Sequence, residues 1–181
     1  MTSNRLKKNI IELTRVSAED NLSRPKIPLT VLLEDVRSLN NVGSVLRTAD
    51  AFAVREVVMC GITGTPPHPE INKTALGAED SVHWRHADNA VSEIRRLQQQ
   101  GVHVCVLEQT HNSVPLNEFR PDPGRQYAVV AGNEVHGVSQ AAVDAADTVL
   151  EIPQSGAKHS LNVAVSTALA IWHFYVPTLP R

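Results

Sequence analysis

Two cysteines, a net charge of only −2 and no uninterrupted apolar run of membrane-spanning length each remove a class of protein for this 181-residue chain. Cys60 and Cys105 lack the spacing of a metal or redox pair, and each falls inside a run expected to be a buried strand. They read as reduced core thiols of a cytoplasmic protein. The basic opening MTSNRLKKN is not followed by an apolar signal core, and the apolar stretch near the end is broken by Ser166, Thr167 and His173. Neither an export signal nor a membrane span is expected.

Motif absences narrow the chemistry further. No G-x-G-x-x-G, G-x-x-x-x-G-K-[ST] or G-x-S-x-G occurs, so dinucleotide folds, P-loop enzymes and α/β-hydrolases lose their usual sequence warrant. The eight histidines are scattered. His83 and His86 fall in an expected strand on opposite faces, which argues against a metal site. His159 and Ser160 are neighbours in sequence, an arrangement that seldom makes a nucleophile and its base.

What is present suggests one compact domain with ordinary globular composition, 42% hydrophobic and 20% charged. Short β-branched runs alternate with helical patterns from Leu29 onward, the signature of an α/β fold built on a mostly parallel sheet with helices on both faces. Strands are expected at 29–33, 55–60, 82–86, 102–107, 127–131 and 148–152, and helices at about 42–53, 71–77, 89–100, 139–146 and 160–176. Residues 1–28 form a separate arm, with Arg5, Lys7, Lys8, Arg15, Arg24 and Lys26 against Glu12, Glu19 and Asp20. It reads either as a phosphate-seeking arm or as a solvated amphipathic helix turning Leu6, Ile10 and Leu13 inward.

Three polar segments follow expected strands, where open α/β sheets bind ligands. The first holds Asn41, Gly43 and Arg47 at the start of a helix; the arginine could grip an anion or simply pair with Asp50 one turn on. The second, VVAGNEVHGVSQ, sets Glu134 between Gly132 and Gly137, with Ser139 as a helix cap. In the third, IPQSGAKHSLNVAV, Ser160 is the expected cap of the last helix and Asn162 an odd polar residue inside its first turn. Each has a bland alternative, and only their joint occurrence is informative.

The order N-x-G-x-x-x-R-T-A-D-A (Asn41–Ala51), A-G-N-E-x-x-G-V (Ala131–Val138) and I-P-x-x-G-x-x-x-S-L-N-V-A-V (Ile152–Val165) resembles the three motifs of the TrmH-like, or SpoU, branch of the SPOUT RNA methyltransferases. The resemblance runs from about Leu29 to Tyr175 and implies a methyltransferase domain over 29–181 whose C-terminal part is threaded into a trefoil knot. It further implies a homodimer that transfers a methyl group from S-adenosylmethionine to a ribose 2'-hydroxyl of tRNA or rRNA, without a metal. By motif position, Asn41, Arg47, Glu134, Ser160 and Asn162 would form the catalytic centre. The donor would lie against the backbone at Leu107, Gly132, Ile152 and Leu161, with Glu108, Ala131 and Pro153 beside them.

The same resemblance sets further expectations. Asn162 would reach toward Glu134, Arg47 would act by charge and position rather than as a base, and Trp172 and Tyr175 would supply dimer surface. With only about 28 residues before the first strand, target choice would rest on the basic arm, the 61–72 loop, the dimer surface or a helper protein. Two readings compete: a catalytically silent RNA-binding relative, and a knotted methyltransferase acting on a base or on a non-RNA substrate.

Overall fold

The computed structural model describes residues 6–9 and 16–179. Seven strands form one sheet: β1 (Ile27–Glu34), β2 (Val54–Cys60), β3 (Trp84–Ala87), β4 (His103–Leu107), β5 (Val114–Pro115), β6 (Tyr127–Ala131) and β7 (Thr148–Glu151). They lie in the order β3-β2-β1-β6-β4-β7-β5, and every pairing is parallel. Among the described residues six α-helices accompany them: α1 (Ala18–Ser23), α2 (Leu39–Ala51), α3 (Pro69–Ala75), α4 (Ala90–Gln99), α5 (Gln140–Ala145) and α6 (Val163–Tyr175).

Strand periodicity explains the layering. Val31, Leu33, Val129 and Ala131 point to one face, where Val42, Leu46 and Ile71 of α2 and α3 and Ile171 of α6 complete a core. Leu32, Val58, Val104 and Val130 point to the other, against Ile94 and Leu97 of α4 and Ala142 of α5. Burial on both faces is why these strands read as continuous apolar runs. Both cysteines are buried in this sheet, and desolvation first of all pushes each thiol up to about 12, so neither ionises near neutrality.

Helix starts follow side-chain caps. Ser38, Asn89 and Ser139 each accept a backbone N–H from the first turn of α2, α4 and α5. Helix α2 therefore begins three residues earlier than its apolar pattern, and Asn40 and Asn41 sit inside its first turn. The long connection after β4 contains β5, a two-residue strand invisible to pattern because one of its residues is a proline.

In the arm, Leu6 is 85% exposed and not in a helix, so it does not turn inward; Ile10 and Leu13 lie outside the described residues. The short helix α1 is anchored through Asn21, whose amide donates to Asp50 at 2.7 Å and to the Ser81 carbonyl at 3.1 Å.

Candidate functional site

Strand β1 continues on one side of the sheet into β2 and β3, while β6 belongs to the half built with β4, β7 and β5. The carboxyl ends of β4, β6 and β7 open into a cleft of about 610 Å³. Leu107, Glu108, Ala131, Gly132, Glu134, Ile152, Ser160, Leu161 and Asn162 all line it. Pro153 does not: it faces a separate apolar groove beside α6, with Leu116 and Trp172. Asn41 and Arg47 also stand outside the lining, and they differ from each other in how they relate to it.

Asn41 is tied to the cleft by a relay. Its Nδ2 donates to Glu134 Oε1 at 3.0 Å, and its Oδ1 accepts from Asn162 Nδ2 at 3.1 Å. Asn162 Oδ1 in turn accepts the N–H groups of Ala164 at 2.9 Å and Val165 at 3.3 Å. The polarity of this chain is forced from both ends, because a carboxylate can only accept and a backbone N–H can only donate. Three stretches of sequence are thereby locked into one arrangement.

This corrects the reading of the third motif. The N-cap of α6 is Asn162, two residues after Ser160, and Ser160 is an exposed residue of the cleft wall. Asparagine and serine cap equally well, and what selects Asn162 is its second function as a donor to Asn41. The contact with Glu134 is made through Asn41 rather than directly.

Glu134 is saturated with donors. Oε2 accepts from the Arg37 N–H at 3.0 Å, and Oε1 from the Ser38 N–H at 2.9 Å as well as from Asn41. Partial desolvation pushes its pKa up, but the two backbone N–H groups and the Asn41 amide outweigh it and hold the carboxyl below its ordinary value. An ionised carboxylate at the start of α2 is also well placed against the helix dipole. At neutral pH Glu134 is thus a fixed anion and a poor proton acceptor.

The glycines of the second motif have a different cause from the one their sequence suggests. A Cβ on Gly132 would lie 2.3 Å from the Gly137 carbonyl and the Val138 nitrogen, so the close approach is that of the chain's own turn. Gly137 has φ of +67°, and a Cβ there would meet the Glu108 carboxylate. That carboxylate accepts the N–H of Val138 and of Gln109, both at 2.9 Å. Sequence reasoning also passed over Asn133, whose Oδ1 accepts the N–H of Val135 and His136 and whose Nδ2 donates to the Asp35 carbonyl. An asparagine bonding to backbone two residues on is a local turn signal that could have been read.

Arg47 is exposed on α2, and its side chain makes no hydrogen bond or ion pair within the described residues. The expected pair with Asp50 is absent because Asp50 accepts from Asn21 and, at 2.5 Å, from the Ser81 hydroxyl. The guanidinium is therefore open, and it does not line its own chain's cleft.

The cleft suits a cationic ligand with an adenosyl group. Glu108, Glu134 and Glu151 line it, and no lysine or arginine does. The main-chain groups of buried Gly132, and those of Ile152 and Leu161, find no hydrogen-bond partner within the described residues. Unpaired backbone groups at the wall of a cleft are ready partners for a base edge. Among the described residues no cluster of histidine, cysteine, aspartate or glutamate could hold a metal ion.

A parallel α/β sheet with a ligand cleft at the carboxyl ends of its strands, walled by the loop before a capped C-terminal helix, marks a doubly covered α/β ligand-binding domain. The SpoU rRNA Methylase family description matches residues 28–172, and the chain belongs to that family. It is 28% identical over 163 residues to the 23S rRNA (guanosine-2'-O-)-methyltransferase RlmB of Vibrio vulnificus, covering 89% of this chain and 64% of that one. It is 33% identical over 161 residues to the tRNA (guanosine(18)-2'-O)-methyltransferase of Thermus thermophilus, covering 89% and 81%. Among solved structures, the A. aeolicus TrmH/SpoU tRNA modifying enzyme superposes with a TM-score of 0.77 at 25% identity, covering 88% of this chain and 79% of that one. The AdoMet-bound rRNA methyltransferase from Sinorhizobium meliloti gives 0.76 at 25%, covering 84% and 57%. The chain thus spans just under two thirds of the length of the RlmB relative.

Proposed function

We propose that this protein transfers the methyl group of S-adenosylmethionine to a ribose 2'-hydroxyl of tRNA or rRNA. The observation that carries the reading is the Asn162–Asn41–Glu134 relay, which joins all three motifs at the rim of an acid-lined cleft with open main-chain groups. When bound, the donor would supply an electrophilic methyl on a sulfonium, to be taken by the ribose 2'-oxygen as the sulfur leaves as a neutral thioether and the hydroxyl proton passes to solvent.

The chain's own contribution is placement, because a displacement of this kind depends mainly on alignment of the attacking oxygen. Leu107, Gly132, Ile152 and Leu161, with Glu108 and Ala131, wall the adenosyl side. Ser160, Asn41 and Asn162 border the place for the sugar. Glu134 serves as a fixed anion favouring the sulfonium and as the anchor of Asn41. Pro153 acts on the donor only through the loop it belongs to.

Arg47 is assigned the RNA phosphate and the developing oxyanion, through its guanidinium fork. It reaches a cleft by dimerisation. Val165, Leu169 and Trp172 recur along α6, with Val176 just past its end, as an exposed apolar stripe, and Trp172, 47% exposed, packs edge-on against Phe52 at the end of α2. A homodimer through this stripe brings α2 of one subunit to the cleft of the other. The family also carries the expectation that the C-terminal part is threaded as a trefoil knot, an exception to ordinary chain topology. RNA choice rests on the basic arm, the 61–72 loop, the dimer surface or a helper protein.

Labelled donor incubated with total RNA, followed by digestion to nucleosides, tests the reading. Ribose-methylated nucleosides are expected. Base-methylated product would support the base-modifying alternative, and donor binding without transfer the silent one. Light scattering at micromolar concentration should give a dimer mass, and a compact monomer would remove the proposed route for Arg47.

A further inference from the structure

Methylation of a ribose hydroxyl releases a proton, and the residues assigned to the sugar cannot take it. A guanidinium stays protonated, so Arg47 has no place for it. Both oxygens of Glu134 already accept N–H groups, and its carboxyl is held below its ordinary value. The side-chain oxygens of Asn41 and Asn162 are engaged in the relay and in the cap of α6. Neither an amide nor the Ser160 hydroxyl is a base near neutrality.

Imidazole is the side chain that exchanges a proton near neutrality, and His136 and His159 both line the cleft. The charged groups that share it are Glu108 after β4, Glu134 after β6 and Glu151 at the end of β7; Lys158 adjoins His159 in the chain but does not line the cleft. Both oxygens of Glu108 accept backbone N–H groups at 2.9 Å, and Glu151 accepts the Ser113 hydroxyl at 2.6 Å. An ordinary carboxylate is, besides, about 100-fold weaker as a base than imidazole. His136 rides on the 133–137 turn, whereas His159 stands immediately before Ser160, in the segment that ends at Asn162. That segment is fixed at both ends: the His159 carbonyl accepts from Gln109 Nε2 at 3.0 Å, and Asn162 is locked to Asn41. The His159 side chain is exposed and makes no hydrogen bond or ion pair within the described residues.

Resting on the methyl-transfer reading above, we propose that His159 is the catalytic base that receives the proton of the ribose 2'-hydroxyl. The proton passes to the unprotonated ring nitrogen as the oxygen's electron pair closes on the methyl carbon. Sulfur keeps the electron pair of the bond that breaks, and the exposed imidazolium returns the proton to solvent. A positive charge thereby moves from sulfur to the ring without being newly created. Glu108, Glu134 and Glu151 favour that charge in either place, which gives the acid lining of the cleft a second use. The nucleophile belongs to the RNA, so the sequence neighbours His159 and Ser160 need no contact with each other.

The test uses the full chain, labelled S-adenosylmethionine and subsaturating total RNA from cells lacking this gene, in single turnover over a range of pH. Wild-type transfer should fall as acid protonates the base, and the midpoint of that fall should match the midpoint of the His159 ring titration read by NMR on the free protein. His159→Ala, in an exposed loop, should keep its melting temperature and its donor Kd by calorimetry. It should lose about 100-fold in rate, lose the acid limb of the pH profile, and recover rate when imidazole is added to the buffer. His136→Ala should keep the acid limb. An unchanged rate in His159→Ala, or a loss that imidazole does not restore or that leaves the acid limb in place, would overturn the assignment, the latter two by showing a positioning role only. Disappearance of the acid limb in His136→Ala would overturn it in favour of the other imidazole. Absence of any ribose methylation by the wild-type protein would overturn the enzyme reading on which it rests.

Discussion

Glu93 and Glu134 are two carboxylates saturated by donors, and they sit at opposite functional poles of the molecule. Glu93, on α4 and only 5% exposed, is clamped by Arg85 and by Arg96, the latter at 2.7 Å. Glu134, at the β6 turn, is held by two backbone N–H groups and an asparagine amide. In both, desolvation pushes the pKa up and the donors more than reverse it, leaving the carboxyl below its ordinary value. Glu93 is neutralised by its partners, whereas Glu134 keeps its full charge because its partners are neutral. The first arrangement fixes an edge of the sheet; the second fixes an edge of the cleft and leaves an anion for a cationic donor.

The arrangement around Glu134 is most sensitive at Asn162. Asn162→Ala removes both the cap of α6 and the donor to Asn41, and should lower methyl transfer by more than about 100-fold while costing about 1 kcal/mol of stability. Asn162→Asp separates these effects: the cap survives, since aspartate accepts from the same N–H groups, but the donor to Asn41 is lost. Its melting temperature should stay near wild type while single-turnover transfer falls.

At the other carboxylate the decisive change is Glu93→Gln. It leaves two arginines facing a neutral amide and should cost about 2 kcal/mol in denaturant unfolding, with turnover per folded molecule unchanged. A smaller effect is expected from Glu134→Gln, in which one former acceptor becomes an amide nitrogen facing backbone donors; donor affinity should weaken by about tenfold as the anion is removed.

Acid should act through both carboxylates with the same sign. Each has a folded-state pKa below its unfolded value, so the stabilisation each gives is complete above the ordinary glutamate pKa and is lost as pH falls through the lowered folded one. Melting temperatures of wild type and Glu93→Gln should therefore converge as the solution is acidified below pH of about 4. A gap that stays constant on acidification would mean that Glu93 stabilises by packing rather than by charge.

Much of this was legible in the sequence because layering and motif position are local properties. Two-faced apolar runs announced a parallel sheet covered on both sides, and the three polar segments fell at strand exits where such sheets bind ligands. What could not be read was set by partners distant in the chain. Ser160 and Asn162 are both competent caps, and the choice depends on Asn41, 121 residues away. Gly132 looked like a place for ligand approach, yet the neighbour it admits is the Gly137–Val138 backbone. Arg47 was equally suited to pairing with Asp50, and only the docking of Asn21 and Ser81 on that carboxylate leaves it open. Strand β5 and the three-residue shifts at the starts of α2 and α6 belong to the same class, decided by hydrogen bonds rather than by periodicity.

A double-mutant cycle on Asn41 and Asn162, read in single-turnover methyl transfer to RNA, tests whether the three motifs work as one unit. If the relay is what orients the site, Asn41→Ala, Asn162→Asp and the double variant should lose nearly the same amount, with a coupling of about 1–3 kcal/mol. Losses that simply add would contradict it, showing two asparagines that act separately.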